Sequence, residues 1–412
     1  SLLPRTVDGH YTYVSLQKNA RTIRDSSQRQ EHPLRDATAA ALGESRILRA
    51  FLPIIENHNA AVKDHQHQQG AEDPLLVGPG DDCAVFAGSP TPTVLTTDTL
   101  VEGEDFLDPW PAGISSGGYE VGYKAATQNL ADIAAMGAEP VTLVVSLSMP
   151  AHTTYGWVED FARGITDSIV ACGAHSCTVS GGDLGTSNDI TVSITAMGRM
   201  HPDTPKPVLR SGAQAGDTVA FAGQVGWADA GLRLLLQSHN PYLADIMAKQ
   251  TTGKHPRCDD KVVQRALTAQ LRPPSPVPAG VLAARAGATA MLDVSDGLLK
   301  DAERIACASA VDISLSAEAI EALSKPLVPL AQAILHGQPR NEDADSYVSL
   351  AQECVLGGGE DHGLLACFPS GALLPEGFVA LGSCLVPEGQ QPRVLLGQRQ
   401  AQARGWEHYQ PL

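Results

Sequence analysis

GGYEVGYKAATQNLADIAAMGAEPVTLVVSL, residues 117–147, decides the fold class. Its first twenty residues, 117–136, carry helical spacing, and Gly137 with Pro140 beyond it stops the helix. The apolar, β-branched run over 141–147 then reads as a strand. Helix followed at once by strand is the α/β signature. Upstream, Ile47, Leu48, Phe51, Leu52 and Ile55 repeat at helical spacing, and residues 94–97 form a short strand. Downstream, Trp157, Phe161, Ile165 and Ile169 make the buried stripe of a helix ending near Gly173, with strands over 176–180 and 190–197. The second half repeats the mixture: strand 218–222, helix 228–237, strand 288–292, helix 298–308.

HPDTPKPV, residues 201–208, holds three prolines and marks a domain boundary near 205. The expected organisation is a flexible extension over 1–40, a first α/β domain over 41–204 and a second over 205–412. The extension is expected because residues 19–30 are rich in Arg, Ser and Gln with few apolar positions. The polar run 58–70 is expected to be a solvated loop rather than a metal site, despite His65 and His67.

Charge excludes some functions. Lys and Arg number 29 against 46 Asp and Glu, a formal charge of -17, which argues against a nucleic-acid surface. No apolar run approaches the ~20 residues that cross a bilayer, and no secretory signal opens the chain. Eight cysteines in 412 residues form neither a disulfide framework nor a zinc pattern, so reduced thiols in a cytoplasmic protein are expected.

Neither standard phosphate cradle is present: GGYEVGYK is not GxxxxGK[ST], and no GxGxxG follows a strand. Aspartates recur instead, in Gly80-Asp81-Asp82, Thr96-Thr97-Asp98-Thr99, Asn129-Leu130-Ala131-Asp132, Gly181-Gly182-Asp183 and Asp293-Val294-Ser295-Asp296-Gly297. Each alone reads as a turn former or helix cap. Together, in a chain without a P-loop, they point to a shared site. Two carboxylates 4 Å apart repel by ~4 kcal/mol at an effective dielectric of 20, so convergence needs a cation. Oxygen ligands suit Mg²⁺, which keeps substrate phosphates in its shell. Thr96, Thr97 and Asp98 can present oxygens at one strand end. Gln128, Asn129 and Asp132 share a helix face. Ser295 and Asp296 fall at a helix start, where free N–H groups favour anions.

The segments VGPGDDCAVF, TTDTLVEGEDF, KAATQNLADIAAMGAEP, SGGDLG, LRSGAQAGD, MLDVSDGLL and GGGEDHGLL occur in the order found in thiamine-monophosphate kinases. Gly405-Trp406-Glu407-His408-Tyr409 is similar to that family's aromatic ending. The resemblance runs from about Leu42 to Tyr409. It implies the aminoimidazole ribonucleotide synthetase-like fold: an N-terminal domain whose sheet pairs across a homodimer, then a C-terminal α/β domain completing the cleft. It implies phosphoryl transfer from ATP to thiamine monophosphate with several Mg²⁺. Asp82, Thr96, Thr97, Asp98, Asp132, Asp183, Asp293 and Asp296 match the family's magnesium ligands. Gly182, Asp183, Arg210 and Ser295 match its ATP contacts, and Glu360 and Trp406 its thiamine-side contacts. Asp98, Asp132 and Arg210 are the expected catalytic set.

One position departs. The family usually carries His where this chain has Asp105, on the thiamine side. An ionised carboxylate can only accept hydrogen bonds, so Asp105 could face solvent, hold an extra cation or meet a different acceptor. Other superfamily enzymes that use ATP, and a non-catalytic nucleotide or thiamine-phosphate binder, are the alternative readings. GGGEDH and GWEHY weigh against the former and the full Asp set against the latter.

Overall fold

The computed structural model describes residues 34–79, 83–238, 240, 243, 260–336, 343–397 and 399–401. The first domain holds α1 (Ala39–Leu42), α2 (Glu44–Gln68), β1 (Leu75–Val77), β2 (Val85–Phe86), β3 (Thr93–Val101), α3 (Gly118–Ala135), β4 (Ala138–Met149), α4 (Tyr155–Ala171), β5 (Thr178–Thr186) and β6 (Thr191–Met200). Its main sheet has the order β3-β6-β4-β5, antiparallel except for the β4–β5 pair. Alternation sends Leu143, Val145, Leu147, Val192, Ile194 and Ala196 inward, where all are buried. The opposite face leaves Leu95 69 % and Val144 40 % exposed.

The two central helices cross at backbone contact. A Cβ on Gly118 would stand 2.0 Å from the Trp157 carbonyl oxygen, on Gly122 2.2 Å from that of Phe161, and on Gly164 2.1 Å from that of Tyr119. Glycine is required there by space. Gly122→Ala is expected to destabilise by about 1–3 kcal/mol, because neighbouring backbone must move; urea unfolding checks this, and an unchanged midpoint would refute the close crossing.

The second domain holds β7 (Thr218–Ala222), α5 (Trp227–Leu235), α6 (Asp260–Leu271), α7 (Val277–Arg285), β8 (Ala290–Val294), α8 (Leu298–Ser309), β9 (Asp312–Leu315), α9 (Ala317–Ser324), α10 (Val328–Leu335), α11 (Ala344–Gly357), β10 (Gly363–Phe368), β11 (Phe378–Leu385), β12 (Val394–Leu396) and β13 (Arg399–Gln400). Its seven-stranded sheet runs β13-β12-β9-β11-β7-β10-β8. The end strand β8 is nevertheless buried along its whole length, because α3 of the first domain lies against it. That contact brings the end of β8 beside α3.

Two sequence expectations change. The run 58–70 is not a loop, since α2 continues to Gln68. Its polar residues serve the edge of β5: Asn59 donates to Val179 O at 2.8 Å and accepts from Val179 N at 3.0 Å, and His58 Nε2 meets Cys177 O at 2.9 Å. They satisfy backbone groups that an edge strand would expose. The extension expected over 1–40 does not reach 40. Arg35 joins Glu159 and Asp160 at 2.5 and 2.6 Å, and Ala39 N donates to Thr153 O. The rest of it, residues 1–33, lies outside the described residues.

Among the described residues no helix is long and apolar enough to cross a membrane. The seven described cysteines are free.

Candidate active site

Carboxylates come from the interior of β3, which runs on past Asp98 to Val101 instead of ending there, from the last turn of α3 and from the end of β8. On β3, alternation points Thr96 and Asp98 toward α3, opposite Asp132. Thr96 Oγ1 donates to Asp132 Oδ2 at 2.5 Å, and Asp98 N donates to Asn129 Oδ1 at 3.2 Å. So Asn129 and Asp132 do share a face of α3, and both engage β3. Asp293 arrives from β8.

The three carboxylates act on one another electrostatically. Burial, then the negative charges of Asp293 and Asp98, pushes the Asp132 carboxyl up to about 7. Burial also raises Asp98, helped by Asp293 and Asp105 and opposed by His362. These are carboxylates held together at a cost. Among the described residues, no three His, Cys, Asp or Glu side chains converge closely enough to hold an ion by themselves. Mg²⁺ is commonly bound through one or two carboxylates plus waters and substrate phosphates, so a carboxylate pair with the Thr96 hydroxyl fits it.

A pH consequence follows. The folded-state pKa of Asp132 lies above the ordinary 3.8, so the cation-free folded chain holds more protons than the unfolded chain between those values. Stability is full below about pH 4 in this respect and falls as pH rises through about 7. With chelator present, the melting temperature is expected to fall across that window, and Asp132→Asn should flatten the fall. A slope unchanged in the variant would refute the shift.

The segment before β10 closes the other side. Glu360 accepts from Lys124 Nζ at 2.7 Å and from Gln270 Nε2. Burial alone would raise Glu360; the Lys124 charge, the hydrogen bonds from Lys124 and Gln270 and the charge of His362 together outweigh it and hold Glu360 low. Lys124 sits in α3, 4 % exposed, and also donates to Asp105 O at 3.1 Å. Asp361 accepts from Gly226 N and Ala228 N, capping α5. His362 Nδ1 lies 3.3 Å from Asp293 Oδ2.

Other expected residues lie elsewhere. Thr97 projects to the opposite face of β3 and donates to Ile194 O at 3.0 Å, so the three oxygens of Thr96, Thr97 and Asp98 do not gather as expected. Gly182 and Asp183 are exposed on β5, three strand spacings or roughly 14 Å from β3. Arg210 is exposed; its carbonyl accepts from Ser309 Oγ at the C-terminal end of α8, and no described hydrogen bond ties it to the carboxylates. Asp296, at the start of α8, pairs with Arg304 and, at 3.6 Å, with Lys300. Arg304 also holds the buried Asp301, whose Oδ2 accepts from Asp296 N. Ser295 engages through its backbone, accepting from Glu360 N at 2.8 Å. Asp105 turns back onto its own loop: Oδ2 accepts from Val101 N at 2.7 Å. Asp82 and Trp406 lie outside the described residues.

The glycines before Glu360 serve packing. A Cβ on Gly359 would come 2.4 Å from Ser295 O, so the loop presses directly on the turn after β8. Sequence reasoning missed Lys124, Gln270, Arg304 and His362. Only Lys124 left a signal, a lone cation inside an Ala- and Gly-rich helix.

Comparisons with known proteins agree with this architecture. The family described as AIR synthase related protein, N-terminal domain, matches residues 80–200. A thiamine-monophosphate kinase of Mycobacterium tuberculosis strain H37Rv is 34 % identical over 335 residues, covering 81 % of this chain and 86 % of that protein. The solved thiamine-monophosphate kinase of Stenotrophomonas maltophilia K279a superposes with a TM-score of 0.59 at 27 % identity, covering 83 % of this chain and 97 % of the other. A solved structure described as AaThiL complexed with AMPPCP and TMP gives 0.59 at 26 % identity, covering 84 % and 94 %. With carboxylates from both domains meeting across α3, and with similarity of that extent, the chain belongs to the thiamine-monophosphate kinase family.

Proposed function

We propose that this protein transfers the γ-phosphoryl group of ATP to thiamine monophosphate, giving thiamine diphosphate and ADP. The reading is carried by Asp98, Asp132 and Asp293 lying within electrostatic reach of one another, in a member of that family that lacks a P-loop. The acceptor is already a phosphate, so its attacking oxygen needs no strong base. The work left to the protein is alignment of two anions and neutralisation of charge. Asp98, Asp132 and Asp293 would hold Mg²⁺ only together with waters and substrate phosphate oxygens, with Thr96 fixing the Asp132 carboxylate. When bound, Mg²⁺ supplies charge neutralisation at the transferring group. Asp82, Asp183 and Asp296 are assigned to further cation contacts, and Gly182, Asp183, Arg210 and Ser295 to ATP; Thr97, turned to the opposite face of β3, is left out of the cation set.

On the acceptor side we place Glu360 and Trp406, with Asp105 shaping the turn after β3 rather than touching the acceptor. Glu360 is presented by Lys124 and Gln270 beside an apolar recess lined by Leu100, Phe106, Trp110, Val121 and Leu271. Because the Asp105 carboxylate is engaged by Val101 N, it caps a turn there rather than reaching for a substrate.

The decisive assay is ADP release with thiamine monophosphate, thiamine and aminoimidazole precursors as separate acceptors. Turnover with thiamine monophosphate alone supports the reading; turnover only with another acceptor replaces its substrate half.

Homodimer formation through the open sheet face belongs to the same reading. Leu95 and Val144 are exposed there at 69 % and 40 %, a position that a second sheet would cover. Leu95→Asp is expected to yield monomers in light scattering; an unchanged mass would reject this face. Cytoplasmic residence is supported by the free thiols of the described cysteines.

A further inference from the structure

We infer that His362 is a positioning residue, holding Asp293 through its Nδ1–H for the divalent cation of the cleft. This rests on the function proposed above. The imidazole is 2 % exposed and Asp293 6 %. Nδ1 stands 3.3 Å from Asp293 Oδ2. An ionised carboxylate can only accept, so Nδ1 carries the proton.

The second nitrogen marks the group as more than filling. Nε2 is buried and meets no hydrogen-bond partner among the described residues. In a closed core such an atom is costly, and an apolar side chain would serve better. In a cleft that takes a ligand, it stands ready for a ligand or a bound water. The ring also sits among charges. Asp98, Asp132, Glu360 and Asp361 lie within electrostatic range of it, as does Lys124. Like charges around Asp293 would turn its carboxylate away from Asp132; the imidazole N–H gives that carboxylate a fixed partner.

The backbone is arranged to deliver this ring. His362 has φ 52 and Glu360 φ 66, both in the left-handed region. His362 N donates to Val294 O at 3.1 Å and Glu360 N to Ser295 O at 2.8 Å. The loop is thus tied to the residues that follow Asp293, which fixes the ring beside the carboxylate.

Two substitutions suit the backbone. His362→Gly removes the donor and accepts φ 52 freely. His362→Asn keeps an N–H near the place of Nδ1 and tolerates positive φ. Mn²⁺ titrated into the full chain with saturating AMPPCP, followed by electron paramagnetic resonance of the free ion, reads the cation site without turnover. His362→Gly is expected to weaken Mn²⁺ binding by about tenfold, ~1.4 kcal/mol, whereas His362→Asn stays within about threefold of the parent. In turnover, His362→Gly should lower kcat more than it raises the KM for thiamine monophosphate. Thermal melts establish that both variants fold. Parent-like Mn²⁺ affinity in His362→Gly overturns the inference, as does His362→Asn as weak as His362→Gly. If the parent itself binds no Mn²⁺ beside AMPPCP, the cation half of the proposed function fails and the inference falls with it.

Discussion

Asp132→Asn is expected to lower turnover by at least about 10²-fold, or ~2.7 kcal/mol of transition-state stabilisation. The amide keeps the shape of the carboxylate and can still accept from the Thr96 hydroxyl, so the β3–α3 contact survives. What disappears is charge. In the cation-free protein that charge is held at a cost, since burial, Asp293 and Asp98 all push the carboxyl upward. Folding stability should therefore hold or rise while activity collapses, a separation that a merely structural residue does not give. Steady-state rates beside urea unfolding of the same preparation make the comparison. Near-parental turnover would remove Asp132 from the site.

Lys124→Met should act in the opposite sense, on stability first. Lys124 joins α3 to the loop carrying Glu360, Asp361 and His362, and it is nearly inaccessible. Removing one partner of a fully buried pair costs about 3–5 kcal/mol. Glu360 keeps 30 % of its side chain exposed, so water screens part of the loss and about 1–3 kcal/mol is expected. The double variant Lys124→Met with Glu360→Gln should recover most of it, because no orphaned charge remains. A single variant as stable as the parent would show that the ion pair does not hold the two domains together.

Much of the fold was legible because period and punctuation agree. The strand expected over 218–222 is β7 itself, and the helix expected over 298–308 ends one residue later. The run 58–70 misled because its polarity suggested solvent, whereas Asn59 and His58 spend it on the backbone of β5. Side-chain alternation along β3 was readable in principle and separates Thr97 from Thr96 and Asp98. The carboxylates themselves were visible, since Asp is conspicuous at strand ends. Their partners were not. Lys124, Gln270 and His362 reach the site only because α3 packs on β8 and the loop after α11 folds over both. Contacts spanning 90 residues, as between Gln270 and Glu360, or 69, as between His362 and Asp293, leave no local pattern to read.

The burial of β8 bears on how far the prolines near residue 205 divide the molecule. β8 terminates its sheet, yet all five of its residues are inaccessible, covered on one flank by α3. A fragment beginning after residue 205 would carry the strand Ala-Met-Leu-Asp-Val as a bare, largely apolar edge, a template for pairing with its own copies. The first fragment would in turn expose the flank of α3 that bears Lys124. Two units can be drawn along the chain, and each covers surface of the other. Separating the halves at this junction would bare the surface that each covers on the other.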